Sequence, residues 1–166
     1  KWVRWHLQGK NTLDLSDARI ALRPYFEQLL RQKGVRGRID VIPTGFEPPT
    51  EKERVPDGAP QGPFLLYLSR LTKQKGLDIL LEAWSSMGDS MKSRHKLVIA
   101  GDGPLKSEVL KSTGRATTDL NYVGLVDEEE KSWLLRNASA LVLPSRFEGL
   151  PAILLEAAWE GLPVAM

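Results

Sequence analysis

Cysteine is absent from the 166 residues. Its absence excludes a disulfide framework, a cysteine-ligated zinc site and a thiol nucleophile, and it suits a reducing compartment. No apolar run approaches the roughly 20 residues that span a bilayer. The opening residues Lys1-Trp2-Val3-Arg4 lead into no apolar stretch of the kind a secretory signal uses. Charge of one sign is not in excess either: 23 Lys and Arg against 21 Asp and Glu leave a formal net charge of +2. With no basic stripe carrying interleaved aromatics, nucleic acid is not an expected partner. Internal repeats and low-complexity tracts are absent. What remains is 42% hydrophobic and 27% charged, the balance of a soluble globular chain with one sizeable core. The chain does not begin with Met and ends at Val164-Ala165-Met166 inside a strand-like run, so the expectation is a fragment cut at both ends.

From Pro63 onward short apolar runs alternate with amphipathic segments. Pro63–Leu68 reads as a buried strand, and Leu77, Leu80, Leu81 and Trp84 then mark one helical face. Lys96–Ala100 reads as a second strand, stopped by Gly101-Asp102-Gly103-Pro104, with Pro104 suited to the first turn of the next helix. Leu120–Val123 is a third strand. Asp127 is the expected N-cap of a helix running to about Asn137, with glutamates at its positive end. Ala140–Leu143 is a fourth strand, Leu150 to Ala158 a helix ended by Gly161, and Leu162–Met166 the start of a fifth strand. Strict alternation with near-continuous apolar strands predicts an α/β fold: a doubly wound, Rossmann-like parallel sheet covered on both faces. Before it, Asp17–Leu22 reads as a strand, a helix follows Pro24 and ends at Gly34, and Ile39–Ile42 is another strand. Between Glu47 and Pro63 lie five prolines and many charges, a composition that reads as a linker or surface loop.

In an open parallel sheet, ligands bind beyond the carboxyl ends of the strands. Four loops there carry suggestive residues. Ser69-Arg70-Leu71-Thr72-Lys73-Gln74-Lys75-Gly76 offers a guanidinium fork at Arg70 and a point charge at Lys75, together fit for a diphosphate. A solvated basic turn accounts for the same residues. Gly101 and Gly103 either let a nucleotide approach the backbone or simply make a tight turn. Gly124-Leu125-Val126-Asp127 offers backbone groups near Val126 to a base edge, or is a plain loop with an N-cap. The fourth tract, Pro144 to Glu156, holds Glu148 and Glu156 with seven residues between them. The amides of Gly149 and Leu150 are expected at the N-terminus of the helix, pointing at a polar ligand. Glu148 can accept from sugar hydroxyls and Glu156 from a ribose. Taken singly, either glutamate also reads as surface charge.

Together these loops resemble glycosyltransferase family 4, retaining nucleotide-sugar transferases of the GT-B fold, whose partial chain this would be. The family's Glu-x7-Glu motif corresponds to Glu148 and Glu156, its "GRL…KG" loop to SRLTKQKG at 69–76, its "GDGP" to Gly101–Pro104, and its "VIPNG" boundary to VIPTG at 41–45. Thr44 stands for the usual Asn and Ser69 for the usual Gly, which touches local backbone shape only. The likeness runs from about Asp14 to Met166.

The resemblance implies residues 1–44 as the tail of an N-terminal acceptor domain, 45–62 as linker, and 63–166 as the donor-binding half of a GT-B fold. It implies catalytic Arg70, Lys75 and Glu148, with Arg70 and Lys75 neutralising a departing diphosphate. Gly149, Leu150, Glu156, Gly101, Gly103 and Val126 would bind the donor. It implies a UDP, GDP or ADP sugar as substrate, hexosyl transfer with retention, and a saccharide or lipid-linked acceptor. No Asp-x-Asp pair occurs, so neither a metal nor another cofactor is called for. The expected location is the cytoplasm, at the inner membrane face, with peripheral membrane contact through the absent domain. Trp2 and Trp5 among basic residues fit either a membrane interface or packing on their own domain, and the latter is preferred. His6 is read as a surface or packed histidine rather than as one near the reacting centre. A non-catalytic nucleotide-binding module and a GT-B sugar-nucleotide epimerase are the alternatives, the second disfavoured by Glu148 and Glu156.

Overall fold

The computed structural model describes residues 12–13, 15–43, 45–113, 119–149 and 151–166. The readings of Trp2, Trp5, His6, Thr44 and Leu150 lie outside the described residues. The chain divides into two compact units, Lys1–Gly45 and Phe46–Met166.

In the first unit, β1 (Ile20–Ala21) pairs in parallel with β2 (Asp40–Val41), Ile20 opposite Asp40 and Ala21 opposite Val41. Between them runs α1 (Pro24–Gln32). Pro24 opens it, where a missing N–H costs nothing. Gly34 follows its end with φ 79°, a left-handed conformation that glycine takes without steric penalty. Ala21, Val35 and Ile39 form a small core, with Leu13, Phe26 and Leu30 packed against it.

The second unit carries β3 (Phe64–Leu68), a 3-10 turn (Lys73–Lys75), α2 (Leu77–Ser86), the short α3 (Asp89–Lys92), β4 (Lys96–Ala100), α4 (Lys106–Thr113) and β5 (Leu120–Gly124). It continues through α5 (Glu128–Asn137), β6 (Ala140–Val142), α6 (Ala152–Trp159) and β7 (Val164–Ala165). All five strands are parallel, in the order β5-β4-β3-β6-β7. The period of two along the strands sorts side chains to two faces. Phe64 and Leu66 of β3 and Val98 and Ala100 of β4 join Leu134 and Leu135 of α5 and Ala157 of α6. Tyr67, Leu97 and Ile99 point the other way, to Leu77, Leu80 and Trp84 of α2 and Val109 of α4. The sheet is therefore covered on both faces, as a doubly wound fold requires. Asp127 caps α5 through a capping box with Glu130, as its position before the glutamates predicts.

Chain order and strand order together place the site. From β3 the chain winds outward through β4 to β5, then returns to the other side of β3 as β6 and β7. The reversal falls between β3 and β6, the position beyond whose carboxyl ends open parallel sheets bind their ligands.

The proline-rich stretch before β3 holds no regular element, as its composition predicts, yet it is fastened down. Pro49, Pro56 and Pro60 are buried. Arg54 pairs with Asp127 and, at 2.7 Å, with Glu130 of α5. Arg136 of α5 donates to the carbonyls of Thr50 (3.0 Å) and Glu51 (3.2 Å). Proline removes backbone freedom, and two arginines supply the anchors that its composition does not announce.

Candidate functional site

Two loops leave the strands at the reversal, 69–76 after β3 and 143–149 after β6. They touch backbone to backbone. A Cβ placed on Gly76 (φ 70°) would lie 1.8 Å from the Pro144 carbonyl oxygen, so only glycine fits there. Arg146 joins the same loops by side chain. Its guanidinium grips the Asp78 carboxylate at 2.7 and 2.9 Å and donates to the Lys73 carbonyl, while its amide donates to the Gln74 carbonyl at 2.9 Å. Hydrogen bonding to Arg146 holds the Asp78 carboxyl below the usual aspartate range. From below, the buried Tyr67 hydroxyl donates to the Arg70 carbonyl at 3.1 Å, with the Lys75 carbonyl 3.4 Å away. Burial, reinforced by the negative charges of Glu148 and Asp78, pushes the Tyr67 phenol upward, so it stays a neutral donor.

On this frame Lys75 and Glu148 meet. Nζ lies 2.6 Å from Oε1, with side chains 20% and 12% exposed, so neither charge is well hydrated. The Ser145 hydroxyl donates to that same oxygen at 2.8 Å. Both bonds fall on Oε1, and no bond to Oε2 is seen among the described residues.

A cleft of about 290 Å³, lined by neither Lys75 nor Glu148, is walled by Leu68, Ser69 and Arg70, by Gly101 and Asp102, by Leu125, Val126 and Lys131, and by Ile153 and Glu156. Four expected residues thus converge on one cavity: Arg70, Gly101, Val126 and Glu156. Arg70 is exposed, and no partner is seen for its guanidinium among the described residues. Glu156 Oε1 accepts from Lys131 Nζ at 3.1 Å, and Lys131 also contacts Glu128 at 2.7 Å. Burial works against the Lys131 charge, and the two carboxylates outweigh it, holding the ammonium above the ordinary lysine value.

Some sequence readings need adjustment. Gly101 and Gly103 sit against another loop of the protein: added Cβ atoms would come within 2.1 Å of the Ser69 carbonyl oxygen and 2.7 Å of the Leu71 carbonyl oxygen. Close packing against the 69–71 backbone thus requires these glycines, whatever ligand is bound. The expected helix start is also displaced. The N-cap of α6 is Pro151 and its first residue is Ala152, so the Gly149 amide precedes the helix rather than opening it. Proline disfavours helical backbone in the residue before it and has no N–H of its own, so the helix begins after it. Pro104 likewise stands ahead of α4, which begins at Lys106.

Lys131, Ser145, Asp78 and Tyr67 are functional neighbours that sequence reasoning passed over. Ser145 precedes Glu148 by three positions, a spacing that could have flagged it. Lys131 stands 25 positions before Glu156, with no local pattern to link them. Among the described residues no group of three or more His, Asp or Glu is placed to hold a metal ion, and no helix is long and apolar enough to cross a membrane.

A doubly wound parallel sheet whose strand order reverses at β3 and β6, with Lys75 paired to Glu148 on the loops that leave those strands, is an architecture that binds ligands beyond the carboxyl ends of its strands. The chain belongs to the family glycosyl transferases group 1, whose sequence model matches residues 49–166. It is 35% identical over 104 residues to the D-rhamnosyltransferase WbpZ of Pseudomonas aeruginosa, a match covering 61% of this chain and 26% of that protein. It is 32% identical over 99 residues to the amylovoran biosynthesis glycosyltransferase AmsD of Erwinia amylovora, covering 60% and 27%. Its fold matches Anabaena HepE, solved in complex with UDP-glucose, with TM-score 0.75 and 18% identity over 99% of this chain and 48% of that one. The matched stretch thus spans about a quarter of these curated relatives. The fold also matches WaaG, a glycosyltransferase involved in lipopolysaccharide biosynthesis, with TM-score 0.66 and 23% identity over 87% of this chain and 42% of that one.

Proposed function

We propose that this chain supplies the donor side of a glycosyltransferase that moves a hexosyl unit from a nucleotide-diphosphate sugar to an acceptor with retention of configuration, as in glycosyltransferase family 4. The observations that carry the reading are the pairing of Lys75 with Glu148 at the strand reversal and the cleft in which Arg70, Val126 and Glu156 meet. Negative charge grows on the diphosphate as the sugar leaves. Arg70 brings a guanidinium with no competing partner seen, and Lys75 an ammonium already fixed in place; charges oriented in advance lower a barrier most. Glu148, through Oε2, holds a hydroxyl of the donor sugar, with Gly149 and Leu150 alongside. Glu156 takes the ribose, the loop at Val126 the base, and Gly101 and Gly103 shape the floor.

The reading calls on no metal or other cofactor, since two cations already face the leaving group. The donor is a UDP, GDP or ADP sugar, and HepE, captured with UDP-glucose, favours the first. The acceptor is a saccharide or lipid-linked saccharide; the relative AmsD is named for amylovoran biosynthesis. It is met by the protein's other half, to which residues 1–44 belong, in the cytoplasm at the inner membrane face.

Calorimetric titration with UDP, GDP and ADP tests the donor site. One of the three is expected to bind, about tenfold or more weakly after Arg70→Ala or Glu156→Ala, since each removes a charge-assisted contact. Failure of a folded protein to bind any of them sinks the reading.

A further inference from the structure

Lys131 has no part in the donor contacts assigned above, yet it stands in the cleft wall with its ammonium half-enclosed. It projects from α5, while Glu156 projects from α6. Its Nζ reaches Glu156 Oε1 at 3.1 Å, and Glu128 holds it from the other side at 2.7 Å. The side chains of Lys131 and Glu156 are 17% and 14% exposed.

Helix packing does not need this lysine. Leu134 and Leu135 of α5 and Ala157 of α6 share one buried cluster. Further along, Arg136 grips the Glu160 carboxylate with two bonds of 3.1 Å. That second, bidentate tie lies away from the cleft and fastens the same two segments.

We propose that Lys131 is a positioning residue that pins Glu156 through Oε1 and so lets Glu156 distinguish a ribonucleoside diphosphate from its 2′-deoxy counterpart. The inference rests on the donor-site reading. A carboxylate reads a vicinal pair of hydroxyls only if its plane is fixed, because each acceptor lone pair must meet its own O–H. A free glutamate would give up side-chain freedom on binding; a pinned one has already given it up. Lys131 repeats at Glu156 what Lys75 does at Glu148, a bond to one carboxylate oxygen, Oε1.

The test compares the affinity of the protein for UDP and dUDP, GDP and dGDP, and ADP and dADP, in wild type, Lys131→Met, Lys131→Gln and Lys131→Arg. Wild type is expected to prefer the ribo form by about tenfold or more. The preference should shrink to about twofold in Lys131→Met and Lys131→Gln and return in Lys131→Arg. A lysine that only ties helices together would change the melting temperature and leave the ratio alone. An unchanged ratio in a folded Lys131→Met or Lys131→Gln protein overturns the inference while leaving the donor site standing. If wild type binds none of the six, the donor-site reading fails and this inference falls with it.

Discussion

Lys75 Nζ lies 2.6 Å from Glu148 Oε1, joining a loop that follows the central strand to one that follows its neighbour across the strand reversal. The two residues are remote in sequence, and the fold alone brings them together. With four-fifths or more of each side chain out of solvent, removing one partner leaves the other poorly hydrated. Ser145 still serves Glu148 when Lys75 is gone, which limits the loss. Lys75→Met is therefore expected to lower stability by about 1–3 kcal/mol, and Ser145→Ala by about 1 kcal/mol. Chemical denaturation of both, with the Lys75→Met/Glu148→Gln double variant closing a cycle, measures the coupling directly. For transfer, Lys75→Met and Glu148→Gln should each lower kcat by about a hundredfold or more. Wild-type turnover in either variant would remove that residue from the catalytic assignment.

Arg146 and Asp78 make a second link between those loops, and it responds to acid. Asp78 has a lowered folded-state value, caused first by its hydrogen bonds to Arg146. A carboxylate of that kind contributes stability above the unfolded value, about pH 3.9, and loses it as pH falls through the lowered folded value. A plot of melting temperature against pH should therefore drop below about pH 4, and drop less steeply in Asp78→Asn. Arg146→Lys keeps the charge but lacks the planar fork that makes two parallel bonds. It is expected to reduce kcat by about tenfold, because the loops bearing Lys75 and Glu148 are no longer held at fixed separation. If Arg146→Lys matches wild type in both kcat and acid profile, the link plays no part in positioning.

How much of this was legible in the sequence depends on the range of the interaction. The parallel sheet was, because Phe64–Leu68 and Lys96–Ala100 are apolar runs that only a strand buried on both faces explains. The cap at Asp127 was, because a capping box spans four residues. Arg70 and Val126 are marked by the loops they occupy and Glu156 by its spacing from Glu148, and the three line one cleft. What one chain in one dimension hides is the partner of each charge. The sequence offers Lys75 as a cation for phosphate, with nothing to show that Glu148 holds it, and gives Lys131 no role beyond its place in the helix that Asp127 caps. The proline-rich stretch was read from composition as a linker, but its two fastening arginines act on residues far along the chain. The start of α6 was misplaced because Leu150 continues the apolar face of that helix, and periodicity was given more weight than Pro151.

Glycine substitutions separate packing from chemistry within this one site. At Gly76 an alanine methyl would fall 1.8 Å from the Pro144 oxygen and 2.5 Å from its carbonyl carbon. Those are backbone atoms, so no rotamer change relieves the clash, and φ of 70° adds its own strain for any residue with a Cβ. Gly76→Ala should cost about 3 kcal/mol or more and should displace Lys75 beside it. At Gly149, by contrast, an added Cβ meets nothing within 4 Å. Gly149→Ala should leave stability within about 0.5 kcal/mol of wild type. Because Gly149 adjoins Glu148, its methyl group would stand where the donor sugar is proposed to lie, so Gly149→Ala should raise the donor KM at unchanged melting temperature. The pair makes a sharp comparison in one set of measurements, melting temperature against donor KM. Loss of stability in Gly149→Ala would mean that loop packs more tightly than its open surroundings allow. Unchanged KM would mean that the sugar lies elsewhere beyond the strand ends, on the Arg70 side of Glu148.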